Sequence, residues 1–167
     1  VELTNEFWGA ATTKADSHTR AFLKIQDGCN YICSFCIIPK ARGRSRAISI
    51  SEAVIQAKKL IENGFKEIVL TGVNIGEYEK STGVPFYKLV DKILELDGLK
   101  RLRLSSVEPN TFSENLLSVL KSSDKVMNHF HIPMQSGDDE ILSRMRRRYT
   151  VAEYIKVIDR IKNLFPD

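Results

Sequence analysis

Cys29, Cys33 and Cys36 lie within eight residues, in the run Cys-Asn-Tyr-Ile-Cys-Ser-Phe-Cys, and are the chain's three cysteines. Three thiols cannot pair off without leaving one over, so a disulfide framework accounts for them poorly. Thiolates are soft ligands suited to iron-sulfur clusters or zinc. A closed structural zinc site wants four ligands, commonly from two separated pairs. A four-iron cubane held by three thiolates instead leaves one iron without a protein ligand, and an open position is what a reactive site requires. The spacing therefore points to a 4Fe-4S cluster on a single tight loop. The alternative is a Cys3His zinc site completed by His18, His129 or His131.

Such a loop needs a frame. Residues 21–26 have strand composition and end at Asp27-Gly28, directly before Cys29, which puts the cysteines after a first strand. Ser49 with Glu52 forms a capping-box pattern, and Val54, Ala57, Leu60 and Ile61 recur at helical spacing until Asn63-Gly64. Residues 66–71, with Ile68, Val69 and Leu70 in series, read as a buried strand. Pro85 suits the first turn of a helix carrying Phe86, Leu89, Val90, Ile93 and Leu94, and Gly98 closes it. Residues 101–105 are a third strand, Thr111 with Glu114 caps a short helix, and residues 129–133 make a fourth strand. Thr150 with Glu153 repeats the capping box before an apolar stripe of Val151, Tyr154, Ile155, Ile158 and Ile161.

This is an α/β order of four βα units, which predicts parallel strands joined by right-handed crossovers in an open sheet or a partial (β/α) barrel. Residues 1 to about 20 lack periodicity and read as a linker ahead of a domain over 21–167. In either architecture ligands bind at the carboxyl ends of strands. Four loops therefore share one rim: the cysteine loop, Thr71-Gly72-Val73-Asn74-Ile75-Gly76, Ser105-Ser106-Val107-Glu108-Pro109, and Ile132-Pro133-Met134-Gln135-Ser136-Gly137. The second of these loops has a plainer reading as a turn and the third as a turn with helix-capping residues, and His129 and His131, on one face of their strand, read as barrel-interior residues.

Twenty-five basic residues against 21 acidic ones give a net charge of +4, a mild preference for a polyanionic partner. The excess is concentrated at Lys40, Arg42, Arg44 and Arg46 and at Arg144, Arg146, Arg147 and Arg148, beside the loops, which favours phosphate contacts over merely solvated faces. No apolar run approaches the roughly 20 residues of a bilayer-spanning helix, and no signal peptide is legible, so a cytoplasmic setting without membrane attachment is the expectation.

The Cys-x3-Cys-x2-Cys spacing, with aromatic Phe35 before the last cysteine, matches the radical S-adenosylmethionine superfamily. Asp27-Gly28-Cys29-Asn30, Pro39-x-Ala41-Arg42-Gly43, Arg44-Ser45-Arg46, Ser105-Ser106-x-Glu108-Pro109, His131-x-Pro133-x-Gln135-Ser136-Gly137 and Met145-Arg146-Arg147 together resemble its methylthiotransferases. Leu70-Thr71-Gly72-Val73-Asn74-Ile75-Gly76 is most similar to the branch acting on tRNA N6-threonylcarbamoyladenosine. The resemblance implies a 4Fe-4S cluster on the three cysteines and S-adenosylmethionine on its free iron. Phe35 would lie near the adenine, Thr71, Gly72 and Asn74 near the amino group, and Ser105, Ser106 and Glu108 near ribose hydroxyls or the ammonium. Gln135 and Ser136 are further cofactor candidates, and an arginine of the following segment, with Arg146 as the candidate, would pair with the carboxylate.

The resemblance also implies an anticodon loop as substrate, an electron donor such as flavodoxin or ferredoxin, and a second 4Fe-4S cluster in an amino-terminal domain. On that pattern the chain is an incomplete catalytic domain, inactive alone for the overall reaction, whose unpaired fourth strand invites self-association. Alternatives are a methylthiotransferase for isopentenyladenosine tRNA or a ribosomal-protein aspartate, and a non-enzymatic zinc-bound RNA-interaction module.

Overall fold

The computed structural model describes residues 19–166. Most of the expected linker, including His18, lies outside the described residues. Three parallel strands form the main sheet in the order β1 (Ala21–Lys24), β4 (Glu67–Thr71), β5 (Arg101–Leu104). The central strand, β4, is apolar along Ile68, Val69 and Leu70 because parallel strands covered on both faces have no solvent side to alternate toward. The ladders run one residue past the strand ends, through Ile25 N–H to Thr71 O and Ser105 N–H to Leu70 O, both 2.9 Å. That places the ends of all three strands on one rim.

Between β1 and β4 lies α2 (Ile50–Glu62), started by Ser49, whose hydroxyl accepts from the Glu52 N–H at 3.2 Å. Its Ala53, Ala57 and Leu60 are buried at helical spacing. The crossover from β4 to β5 uses α4 (Phe86–Leu94), with all five expected apolar residues buried; Pro85 occupies the N-cap rather than the first turn. After β5, α5 (Glu114–Lys121) is capped by Ser113, not Thr111, because Thr111 ends a 3-10 turn over Pro109–Thr111. Burying Leu116, Leu117 and Leu120 sets the register of this helix.

The fourth strand does not form. Residues 125–127 bridge β5 at Leu102, through Leu102 N–H to Lys125 O and Met127 N–H to Leu102 O. The His129 N–H then turns back to Met127 O at 2.7 Å, which withdraws a donor from the ladder, and contact with the β5 loop resumes only where Val107 N–H meets His131 O. Pro133 removes another donor. His129 and His131 are consequently exposed rather than interior, and the sheet edge is β5 itself. The final helix, α7 (Val151–Leu164), has the full Thr150–Glu153 capping box. Its expected stripe is buried at Ile161 while Ile155 is exposed, and Val157 and Leu164 pack on the core in its place.

Three short helices and a clasp were not anticipated. They are α1 (Ile38–Arg42), α3 (Tyr78–Thr82), α6 (Asp139–Arg144), and the antiparallel pair β2 (Gln26–Asp27) with β3 (Arg46–Ala47). The clasp closes the cysteine loop at its base. No described helix is long and apolar enough to cross a membrane.

Candidate functional site

The base of the cysteine loop is held by the two residues ahead of it. Gln26 is fully buried; its amide nitrogen donates to Asp27 O (3.1 Å), Gly28 O (2.7 Å) and Ser45 Oγ (2.8 Å), and its Oε1 accepts from the Asn74 N–H (2.8 Å). One side chain thus joins the first strand, the clasp and the loop after β4. Asp27 accepts from Lys24 (2.8 Å), Arg42 (3.1 Å), Arg46 (3.1 Å) and the Gly28 N–H (2.9 Å). Burial opposes its ionisation, but these donors outweigh burial and hold the carboxyl at about 2. Gly28 has φ +67, and a Cβ there would sit 2.1 Å from Arg44 O, so the turn into Cys29 demands glycine.

Further along, Glu77 Oε2 accepts from the Asn30 N–H at 2.7 Å, and Tyr31 Oη accepts from Asn110 Nδ2 at 3.0 Å. Ser34 N–H donates to Met145 O at 3.2 Å, and the Arg148 guanidinium lies 3.9 Å from the Tyr31 ring centroid. Part of the second basic segment, the Met145 backbone and the Arg148 side chain, therefore braces the cysteine loop. Arg42 and Arg46 of the first cluster are bound to Asp27, so the expected phosphate contacts reduce to exposed residues such as Lys40 and Arg44.

The braced loop forms one wall of a cavity of about 300 Å³. Cys29, Cys33, Cys36 and Phe35 line it together with Asn74 from the loop after β4, Ser106 and Glu108 from the loop after β5, and Gln135. Tyr31, His131 and Arg147 also line it, and His131 Nδ1 is hydrogen-bonded to Ser106 Oγ at 2.8 Å. Gln135 adopts φ 66, the left-handed conformation a non-glycine residue takes only when its surroundings impose it.

Other expected residues shape the rim without lining the cavity. Gly72 is close-packed, since a Cβ would lie 2.8 Å from Gln26 Oε1 and 2.8 Å from Ile75 Cγ2. Thr71 and Ser105 are spent on the strand ends, and Ser136 Oγ accepts from the Asp138 N–H. Arg146 requires correction: it has φ 59, is exposed, and lines the outer side of the cysteine loop with Ile32 and Lys40. The backbone turn there directs the next residue inward, and Arg147 is the arginine in the cavity. Its Nη1 donates to Cys33 Sγ at 3.2 Å and its Nη2 to the Glu108 carboxylate. Burial disfavours its charge, but the hydrogen bond to Glu108 overrides that and pushes its pKa above the ordinary arginine value.

Four residues important to this geometry were missed as site residues: Gln26, Tyr31, Glu77 and Arg147. Gln26 and Tyr31 carry no motif of their own beyond adjacency to the cysteines. Arg147 stood in a run of three arginines that spacing could not rank.

The cavity fits an iron-sulfur cluster on its donor chemistry. Cys29 and Cys33 are only 9% and 8% exposed, and Cys36 is half-buried. Burial pushes the Cys29 thiol up, with Glu77 and Cys33 adding to the effect against hydrogen bonds from Tyr31 N–H and Asn74. A thiol in that setting ionises when iron takes the proton's place. Among the described residues no three His, Cys, Asp or Glu side chains converge on one metal ion. Asn74 Oδ1 and Glu77 Oε1 are buried without hydrogen-bond partners.

The Radical SAM superfamily description matches residues 23–167. Among curated relatives, the threonylcarbamoyladenosine tRNA methylthiotransferase MtaB of Bacillus subtilis (strain 168) is 45% identical over 150 residues, covering 89% of this chain and 33% of the relative. A tRNA-2-methylthio-N(6)-dimethylallyladenosine synthase of Caldicellulosiruptor saccharolyticus is 38% identical over 149 residues, covering 88% of this chain and 32% of the relative. The chain thus spans about a third of the length of these relatives. Among solved structures, the radical S-adenosylmethionine methyltransferase TsrM from Kitasatospora setae, with cobalamin and a 4Fe-4S cluster bound, superposes with a TM-score of 0.70 at 19% identity. That match covers 86% of this chain and 28% of the other, and it shows a shared fold.

Proposed function

Since the chain belongs to the Radical SAM superfamily, we propose that it is the catalytic part of a tRNA methylthiotransferase acting on carbon 2 of N6-threonylcarbamoyladenosine beside the anticodon. The observation that carries the radical chemistry is the single cavity lined at once by all three cysteines and by the loops that follow β4 and β5. Cys29, Cys33 and Cys36 would hold a 4Fe-4S cluster there, and that group would supply the one-electron reduction on which radical chemistry with S-adenosylmethionine depends.

The chain's own residues hold and orient. Cys29, Cys33 and Cys36 are the cluster ligands. The polar side chains of Asn74, Ser106 and Gln135 offer hydrogen bonds to the amino-acid and ribose parts of S-adenosylmethionine. Phe35, half-exposed on the cavity wall, offers a ring for adenine. Thr71, Gly72, Ser105 and Ser136 set the loop backbones from behind.

The threonylcarbamoyl substrate is favoured over the dimethylallyl one by the higher identity to the MtaB relative, 45% against 38%, and by the run Thr71-Gly72-Val73-Asn74-Ile75-Gly76. An anticodon loop suits such a site because single-stranded RNA can present a splayed-out base. The overall reaction belongs to the whole protein, with a second 4Fe-4S cluster in an amino-terminal domain as the place of sulfur transfer and a flavodoxin or ferredoxin as electron donor, in the cytoplasm.

Anaerobic reconstitution tests the cluster: about four irons and four sulfides per chain with a brown chromophore are expected, and stoichiometric zinc without iron uptake would overturn the assignment. Deleting the gene and analysing tRNA nucleosides by mass spectrometry tests the substrate. Loss of the methylthio group from threonylcarbamoyladenosine is expected; loss from the isopentenylated nucleoside instead transfers the protein to the other branch.

A further inference from the structure

We propose that Arg147 is a positioning residue that raises the reduction potential of the cluster seated on Cys33. The inference rests on the cluster reading above and extends it to a residue 114 positions from the ligand it touches.

Three contacts fix the guanidinium. Its Nη1 donates to Cys33 Sγ at 3.2 Å, its Nη2 to the Glu108 carboxylate, and its centre lies 5.2 Å from the centroid of the Tyr149 ring. Tyr149 is itself buried and anchored, with its hydroxyl against Pro133 O (2.9 Å) and Met134 O (2.8 Å). The backbone is pinned at Arg147 itself and two residues before it, through Arg147 N–H to Leu142 O and Ser34 N–H to Met145 O. The side chain is 4% exposed, so water does not screen its charge.

The consequence follows from charge. Gaining one electron makes a cluster more negative, and a fixed donor to a ligand sulfur stabilises the more negative state. Glu108 neutralises part of the guanidinium's charge while aiming it, so the directed hydrogen bond carries more of the effect than net charge does. Cys29 Sγ receives only neutral donors, the Tyr31 N–H at 3.3 Å and Asn74 Nδ2 at 3.8 Å. Among the described residues Arg147 is the one charged donor to a cysteine sulfur. The three protein-held corners are thus electrostatically unequal, and the Cys33 corner is the favoured one for added negative charge.

The test uses the intact protein, reconstituted anaerobically as wild type, Arg147→Met and Arg147→Lys. The cluster midpoint potential is measured without S-adenosylmethionine by redox titration read by electron paramagnetic resonance, and S-adenosylmethionine affinity is measured separately. Arg147→Met should lower the reduction equilibrium about tenfold, a fall of about 59 mV for a one-electron couple. Arg147→Lys keeps the charge but loses the fork, and should fall between the two. If Arg147→Met loads no iron, the lysine variant alone decides. An unchanged potential in the lysine variant, or an unchanged potential with weakened S-adenosylmethionine binding in either, overturns the proposal, the latter by assigning Arg147 to the cofactor. A wild-type protein that assembles no cluster fails the cluster reading instead, so the two failures are told apart.

Discussion

Replacing Gln26 by leucine removes the one side chain that ties the base of the cysteine loop to the loop after β4. The two residues are close in size, so the change isolates the polar part. Gln26 makes four hydrogen bonds, but not all count equally. Ser45 Oγ has Ser81 Oγ at 2.9 Å as a second partner, and Asp27 lies in the clasp ladder. The Asn74 N–H and Gly28 O depend on Gln26 most directly, and each buried group left unpaired costs about 1–3 kcal/mol. The expected destabilisation is therefore about 2–6 kcal/mol, a large share of the roughly 5–15 kcal/mol that holds a domain together.

The measurement is urea unfolding of the cluster-free chain by far-ultraviolet circular dichroism, with iron uptake assayed on the same preparations. Wild type and Gln26→Leu should share a slope and differ in midpoint. Gln26→Glu should be at least as harmful, because it deletes the donors to Gly28 O and Ser45 and places a carboxylate where exposure is 0%. A loss below about 1 kcal/mol in the leucine variant, with normal iron uptake, would show that backbone contacts alone set the loop and that the hub role assigned to Gln26 is wrong.

Other perturbations bear on the same loop. Gly28→Ala should cost about 1–3 kcal/mol for the left-handed backbone alone, and more because the new Cβ meets Arg44 O at 2.1 Å; the urea midpoint reads this directly. Asp27 titrates at about 2 folded against an ordinary 3.8, so as pH falls the unfolded chain takes up its proton first. Its stabilisation is intact above about pH 4 and is lost toward pH 2, and Asp27→Asn should flatten that part of the acid-unfolding curve while leaving the component from Glu67, whose carboxyl is held down by Arg101 and Arg103 against burial. In the cluster-free protein, iodoacetamide should label half-buried Cys36 before Cys29, whose thiol burial pushes up; mass-spectrometric mapping with Cys29 first would contradict the geometry. Sedimentation at rising concentration should show self-association through the part of the β5 edge that residues 125–127 leave unpaired, and a monomer throughout would count against it.

Much of the frame was legible because local rules and burial agree there. Ser49 and Thr150 start their helices where capping predicts, and the apolar residues of α4 are all inside. The rim rule then placed Asn74, Ser106 and Glu108 beside the cysteines, since they follow the ends of parallel strands, whereas Gln135 reaches the same cavity from a segment that forms no strand. The fourth strand was misread because residues 129–133 have strand composition, while the outcome turned on where single N–H groups went, which composition does not encode. The cap at Thr111 failed for a similar reason: Ser113 competes two residues later, and burial of Leu116 chose between them. The Gln26 hub and the clasp are long-range, joining residues 19 to 48 positions apart, and no local period announces them.

The arginines show how far charge counting misleads without geometry. Eight basic residues near the cysteines suggested a polyanion surface, yet Arg42 and Arg46 are bound to Asp27, Arg147 to Glu108 and Cys33, and Arg148 to Tyr31 and Asn30 O. Half of the apparent RNA face is therefore engaged in bracing the cysteine loop, although Arg42 and Arg148 remain exposed while they do so. Lys40, Arg44, Arg144 and Arg146, exposed and outside those pairings, are the residues most available to phosphate. Arg144 has only a loose pairing with Glu140 at 3.9 Å, in an exposed setting where such pairs contribute little. Lys40 and Arg146 flank the outer side of the cysteine loop together with Ile32 and Ile37, which are 64% and 63% exposed. The same short loop therefore turns buried thiols toward the cavity and a basic, apolar surface outward. A substrate that approached from that side would have its phosphates held on the rim of the wall that carries the cluster, which is the arrangement a radical enzyme needs if its target base is to reach the cavity without water following it.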